Sequence, residues 1–389
     1  MVRRDGMKIT KLEVLHYVAP NMKLAYKPLS WNLLKVYTDE GIVGYGEPIV
    51  EGRARTVATA VKELGDYIIG RDPRDVERLW QDMYKASFYR GGPVLASAVS
   101  GVEQALWDIT GKWYGVPVYK LLGGAVRDKI RVYSWVFGEK DEDYVEGALD
   151  RKAQGFGAIK MLACHEPLRY IETPKKTMEL VERVGKVREA VGDDFDIGID
   201  LHGRFSPAMA KLYIKEIERY HPMFLEEVIL PDNHDVMADI AKSTHIPLAT
   251  GERLFGRWGF RDVIEKRAAT ILQPDVCHCG GILELRKIAA MGEVNYCAVA
   301  PHCPMGPVAF AASLQCDAGA INFLIQEQSH MGEGVLKEPF VQHDGFVDLP
   351  TKPGLGIEID EEKFSKLSDD GSGHLVYWYD RDDGSFTTW

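Results

Sequence analysis

Eight short apolar segments return at near-regular intervals from Arg131 onward, and this beat constrains the fold more than any other feature of the chain. They are RVYSWV (131–136), AIKML (158–162), FDIGIDL (195–201), MFLEEV (223–228), IPLAT (246–250), TILQP (270–274), YCAVA (296–300) and INFLIQE (321–327). Most of the intervals between them hold an amphipathic stretch, such as TMELVERVGKVREAVG or PAMAKLYIKEIERY. A strand with its return helix takes about 25–30 residues, which matches the beat. Strands that are apolar throughout, rather than alternating, are buried on both faces. The eight segments therefore predict a parallel α/β barrel.

The chain is 389 residues long, so a barrel of about 250 residues leaves room for a smaller companion. Its first 125 or so residues follow a different pattern. ITKLEVLHYV and WNLLKVYTDEG read as strands and GIVGYGEP as a glycine-rich strand and turn, while 52–68, 74–87 and 93–115 carry helical periodicity. Strands followed by helices make an α+β module. From about residue 335 the tail is polar and loop-rich, and KPGLGIEID (352–360) reads as a strand returning to that module. The division expected is 1–125 completed by 335–389, with the barrel over 126–334.

In such a barrel the reactive groups lie at the C-terminal ends of the strands. Asp200, Glu226 and Glu252 end three successive strands at equal intervals of 26 residues. Three convergent carboxylates without a cation would repel one another strongly, so the trio implies a hard divalent metal. The same rim carries Lys160 and His202 before and within the trio, then Asp275, His302 and Glu327 after it. One acid after a strand is more often a helix cap than a ligand. That structural role is the one expected of Glu227, which alternation points away from Glu226. Asp200 and His202 are two apart and can share a face, and His302 with Asp275 one βα unit earlier suits a carboxylate-oriented base. Lys160, one strand from the acids, is expected to face the substrate.

The motifs GIVGYGEP (41–48), FYRGGP (88–93), IDLHGR (199–204), FLEEV (224–228), ATGER (249–253), LQPDVCHCGG (272–281), APHCPMGP (300–307), LIQEQ (324–328) and KPGLGIEID resemble the mandelate-racemase branch of the enolase superfamily. Within that branch the chain is similar to acid-sugar dehydratases of the D-galactonate type, over almost its whole length. The resemblance implies a modified TIM barrel, (β/α)7β, under an α+β capping domain, with Mg2+ on Asp200, Glu226 and Glu252. It implies that His302, oriented by Asp275, takes the C2 proton of an acid sugar and that His202 protonates the leaving C3 hydroxyl. Glu327 and Lys160 would hold the enediolate oxygens, and Arg204, Tyr89 and Arg90 would contact substrate. The product is a 2-keto-3-deoxy acid, and homo-oligomers from dimer to octamer are expected by analogy. Two departures stand out. Racemases of this branch carry Lys-x-Lys where this chain has Lys160-Met161-Leu162, and the stretch 21–31 is longer than in the dehydratases. Losing the second lysine favours elimination over an epimerase, racemase or cycloisomerase built on the same intermediate.

Composition excludes other classes. A net charge of −11 without a basic stripe gives no phosphate footprint for nucleic acid. No apolar run is long enough to span a bilayer, and the MVRRDGMKITK start lacks the apolar core of a secretory signal. Met7 is an equally good start, which would make the first six residues an extension. Six cysteines without a disulfide framework read as buried thiols in a reducing cytoplasm. Cys277-His278-Cys279 has no second ligand pair to complete a zinc site.

Overall fold

A computed structural model describes residues 6–18, 23–24, 27–28, 30–86, 88–164, 171–367, 369, 379–380 and 383–387. Residues 21, 22, 25, 26 and 29 of the long stretch 21–31 lie outside these residues. The first module opens with an antiparallel sheet of β1 (Ile9–Tyr17), β2 (Trp31–Thr38) and β3 (Val43–Gly46). Three helices follow: α1 (Ala54–Ile68), α2 (Val76–Lys85) and α3 (Pro93–Tyr114). Their apolar faces close a core of their own with β1 and β2, through Leu34, Val36, Val61, Leu79, Val102 and Leu106. β3 lies so close on α3 that a Cβ at Gly46 would sit 1.9 Å from the Gly101 carbonyl oxygen. Only glycine permits that contact.

The eight expected barrel strands are all present, most of them shorter than the sequence suggests. They run Lys129–Val136, Ala158–Leu162, Asp196–Asp200, Phe224–Glu226, Leu248–Thr250, Ile271–Leu272, Ala298–Val299 and Gln326–Gln328. The first seven pair in parallel and in chain order. The eighth meets both ends of that row. Leu324 N–H donates to Val299 O at 2.8 Å, and Gln326–Gln328 pairs in parallel with Val132–Ser134. The expected strand at 321–327 therefore begins as a bridge to Val299 and pairs regularly only from Gln326. The result is a barrel-like domain with a capping domain before it.

KPGLGIEID does return to the first module, but not as a strand. Gly354 bridges Pro117, and Leu355 N–H donates to Asp108 Oδ1 at 2.9 Å. Two glycines and a proline break the regular dihedrals a ladder needs, so Asp108 of α3 and the backbone of Val116 and Val118 hold the segment instead. Among the described residues no helix is long and apolar enough to cross a membrane.

Inside the strands lies a layer of Tyr133, Ala158, Phe224, Ala249, Ile271, Ala300 and Ile325. The third strand contributes Gly198, where a Cβ would meet the Phe224 ring at 2.6 Å. This layer is the floor of the barrel mouth. Because side chains alternate along a strand, the residues two positions further on point the same way and form the next layer up.

Candidate active site

That next layer holds the chemistry. Two residues beyond the floor come Trp135, Lys160, Asp200, Glu226, Gln273, His302 and Glu327. The fifth strand departs from the step. Gly251, at φ 146°, adds one residue and delivers Glu252 instead.

Lys160 is fully buried at the centre. Its Nζ lies 2.8 Å from Glu226 Oε2, 3.2 Å from Glu327 Oε1 and 3.8 Å from Asp200 Oδ2. It also sits over the Trp135 indole, 4.4 Å from the centroid. Burial alone would lower its pKa, but Glu226 and Glu327 raise it well above the ordinary lysine value, so the ammonium is held. The lysine faces the acids directly.

The histidines flank this cluster. His302 Nδ1 is 2.7 Å from Asp275 Oδ2, and its Nε2 is 2.9 Å from Glu252 Oε2. Asp275 is fixed in turn by the Cys277 N–H at 2.6 Å. Burial works against the imidazolium, yet the charges of Glu327 and Glu252 carry the His302 pKa well above its usual value. His202 Nε2 lies 3.0 Å from Asp200 Oδ2, and its pKa rises against burial because of that carboxylate. His202 does not reach the mouth by strand alternation. The strand ends at Asp200, and His202 is in a left-handed turn at φ 46°, with its N–H donating to Asp200 Oδ1 at 2.9 Å.

The carboxylates divide the charge unequally. Against burial, His202 holds the Asp200 pKa below the ordinary value and His302 holds that of Glu252 well below it. Burial, reinforced by Asp200, pushes Glu226 up to about 8. Asp200, His202 and Glu252 each bring a ligand atom within 4.8 Å of the others. Glu226 is drawn instead to Lys160 and to Gln273, whose Nε2 donates at 2.7 Å. Its Oε1 is buried and accepts no hydrogen bond. A buried, unmatched carboxylate oxygen beside two more acids fits a hard cation well.

The expected structural role of Glu227 is corrected. It is not a cap, because the next helix, His234–Ala241, begins seven residues later with Asn233 as its cap. Glu227, turned at φ 42°, is buried and takes both arms of Arg253, with Nε at 3.1 Å. The two partners are separated by the same 26-residue step as the acids. Arg204 is buried at 1% exposure, while Tyr89 is 80% exposed and Arg90 is also exposed. No described hydrogen bond or ion pair joins Tyr89 or Arg90 to the acids. The six cysteines are buried and form no disulfide among the described residues, and His278 pairs with Ser97 at 2.8 Å rather than with a thiol.

Sequence reasoning missed Trp135 and Gln273. Trp135 Nε1–H donates to Glu327 Oε1, and its ring stacks on Phe137 with centroids 4.9 Å apart. Both belong to the two-residue step, which would have found them had the apolar floor been aligned strand by strand.

Comparison with known proteins identifies the family to which this fold belongs. The mandelate racemase / muconate lactonizing enzyme N-terminal domain family matches residues 18–123, and the enolase C-terminal domain-like family matches residues 143–363. A D-galactonate dehydratase from Ralstonia pickettii (strain 12J) is 46% identical over 393 residues, covering 98% of this chain and all of that protein. A mandelate racemase/muconate lactonizing enzyme from Sulfitobacter sp. superposes with a TM-score of 0.89 at 34% identity, covering 95% of this chain and 98% of its own. An enolase superfamily member from Salmonella Typhimurium superposes with a TM-score of 0.86 at 34% identity, over 92% and 98%. The chain belongs to the mandelate racemase/muconate lactonizing enzyme family of the enolase superfamily.

Proposed function

We propose that the chain dehydrates an aldonic acid, D-galactonate or a close relative, to the 2-keto-3-deoxy acid. One observation carries the reading: two histidines stand on opposite flanks of one acid cluster, His202 against Asp200 and His302 against Glu252. Elimination needs a base at C2 and an acid at C3, and a histidine on each flank supplies both. Asp275 holds Nδ1 of His302, which leaves Nε2 of the neutral imidazole as the atom that takes the C2 proton; with Glu252 engaged by a cation, the charge that favours the imidazolium would be offset. The C3–O bond then breaks, and the hydroxyl leaves as water with a proton from His202. The resulting enol takes a solvent proton at C3 and becomes the ketone. Lys160, already paired with Glu327, provides positive charge beside the enediolate oxygens.

Asp200, Glu226 and Glu252 would hold a divalent ion, Mg2+ in this family. When bound, it supplies Lewis-acid stabilisation of the negative charge that develops on the substrate carboxylate. Leu162, where racemases of this branch carry a second lysine, offers no base on the opposite face.

His302→Asn keeps shape and the Asp275 contact but removes the base. It should lower turnover by roughly 10²–10⁴-fold while Mg2+ binding, read by calorimetry, survives. Normal release of semicarbazide-reactive product by that variant would overturn the assignment. Six buried cysteines outside any disulfide support a reducing compartment such as the cytoplasm. Exposed Phe88 and Tyr89 support self-association, which sedimentation tests.

A further inference from the structure

His302 lies in the loop between the seventh strand and the helix Pro307–Asp317, and residues outside the barrel-like domain help to hold that loop. Its start is fixed from within the barrel. Gln326 Nε2 donates to Pro301 O at 3.1 Å, and Cys303 N–H donates to Glu327 Oε2 at 2.7 Å. Its end is fixed by Glu47 of the first module, which is wholly buried. Gly306 N–H donates to Glu47 Oε1 at 2.5 Å, and the N–H groups of Val308 and Ala309 donate to Oε2 at 3.2 and 3.0 Å. Pro307 has no N–H, and Gly306 caps the helix without a side chain. One carboxylate from another module thus meets every N–H from Gly306 to Ala309.

The fit leaves no slack. A Cβ at Gly306 would lie 2.6 Å from Glu47 Oε1 and 2.7 Å from the Tyr17 hydroxyl. Glu47 is also tied to the loop of the partner acid. Its own N–H donates to Gln104 Oε1 at 2.9 Å, and Gln104 Nε2 donates to Val276 O at 3.1 Å, one residue beyond Asp275. Both halves of the His302–Asp275 pair therefore hang on Glu47 and its neighbour.

We propose that Glu47 is a positioning residue for His302, acting through the loop 301–306 from across the domain boundary. This rests on His302 being the base. A small displacement of a reacting group costs catalysis more than it costs binding, and a 1 Å error is worth about 10²-fold.

The test uses the full-length Mg2+ protein with three substitutions. Glu47→Gln keeps the volume but turns an amide group toward backbone donors. Gly306→Ala pushes the same contact apart while leaving the carboxylate. Asp108→Asn is the comparison, since Asp108 also accepts backbone N–H groups, from Tyr45 and Leu355, but away from the mouth. With D-galactonate, Glu47→Gln and Gly306→Ala should each lower kcat about 10–100-fold with KM within about threefold. The kinetic isotope effect from C2-deuterated substrate should rise in both. Asp108→Asn should lower Tm and leave kcat unchanged. A second readout needs no substrate: the Nδ1–H resonance of His302 in 15N-histidine-labelled protein, assigned by its loss in His302→Asn, should shift in both mouth variants. Wild-type kcat in the mouth variants, or an equal kcat loss in Asp108→Asn at matched Tm, would overturn the proposal. If the wild type does not turn over D-galactonate, that failure belongs to the functional reading. The resonance then decides alone, and an unmoved signal overturns the positioning role.

Discussion

The barrel mouth and the seam between the two domains both bury carboxylates, and they satisfy them in opposite ways. In the seam, Glu47 accepts three backbone N–H groups, and Glu103 accepts those of Ile282 and Leu283 together with the Trp107 indole N–H. Each glutamate closes the N-terminus of a barrel helix, where the exposed donors favour negative charge. At the mouth, the acids face side chains that can exchange protons, and one oxygen of Glu226 has no hydrogen-bond partner. Backbone donors fix a carboxylate permanently. Titratable partners and an unmatched oxygen leave it available. The same residue types are structural in one place and reactive in the other because of what they face.

Four changes test this contrast. The largest effect is expected from removing divalent metal by chelation, which should abolish turnover and be reversed by Mg2+. Retained activity in the chelated protein, with metal content checked by atomic absorption, would undo the assignment of the mouth. Next comes Lys160→Met, which leaves three buried acids without their cation. Urea unfolding of the metal-free variant at neutral pH should show a loss of about 3–5 kcal/mol, and added Mg2+ should recover part of it.

Glu103→Gln comes third, because it disturbs fixed backbone donors. Denaturant midpoints should fall by an amount equivalent to about 1–3 kcal/mol. A loss as large as that of Lys160→Met would show the seam to be more than a set of caps.

The last change is read in the pH dependence of stability. Burial pushes Glu47 up to about 7 and Glu103 up to about 8 from the ordinary 4.5, despite their N–H donors. The folded state therefore binds protons more tightly than the unfolded one at both sites. The stability linked to them is fully present below pH 4.5 and is lost as pH rises through 7 and 8. Unfolding curves from pH 5 to 8 should fall less steeply for Glu47→Gln than for the wild type, and equal slopes would mean that Glu47 stays ionised throughout.

Much of this was legible in the sequence wherever a short-range rule applied. The eight-strand beat survives because each strand is buried on both faces, as in Ala158–Leu162, which is buried at every position. The rim residues from Lys160 to Glu327 follow from strand ends, except His202, which a left-handed turn carries there. The roles of Glu227, Glu47 and the KPGLGIEID segment do not, because each depends on a partner far away in sequence or on a turn. Glu227 looks like a cap until its left-handed backbone turns it onto Arg253. Glu47 looks like the end of a small strand until it meets a helix 259 residues later. Arg204, Tyr89 and Arg90 were matched by motif rather than by geometry. The structure buries the first and exposes the other two.

The most direct test of the central claim is to run the Mg2+ protein with D-galactonate in D2O and follow the reaction by proton NMR. Abstraction at C2 with loss of the C3 hydroxyl predicts a 2-keto-3-deoxy acid carrying one deuterium at C3. Deuterium at C2 with the C3 hydroxyl retained, as an epimerase or racemase would give, contradicts it.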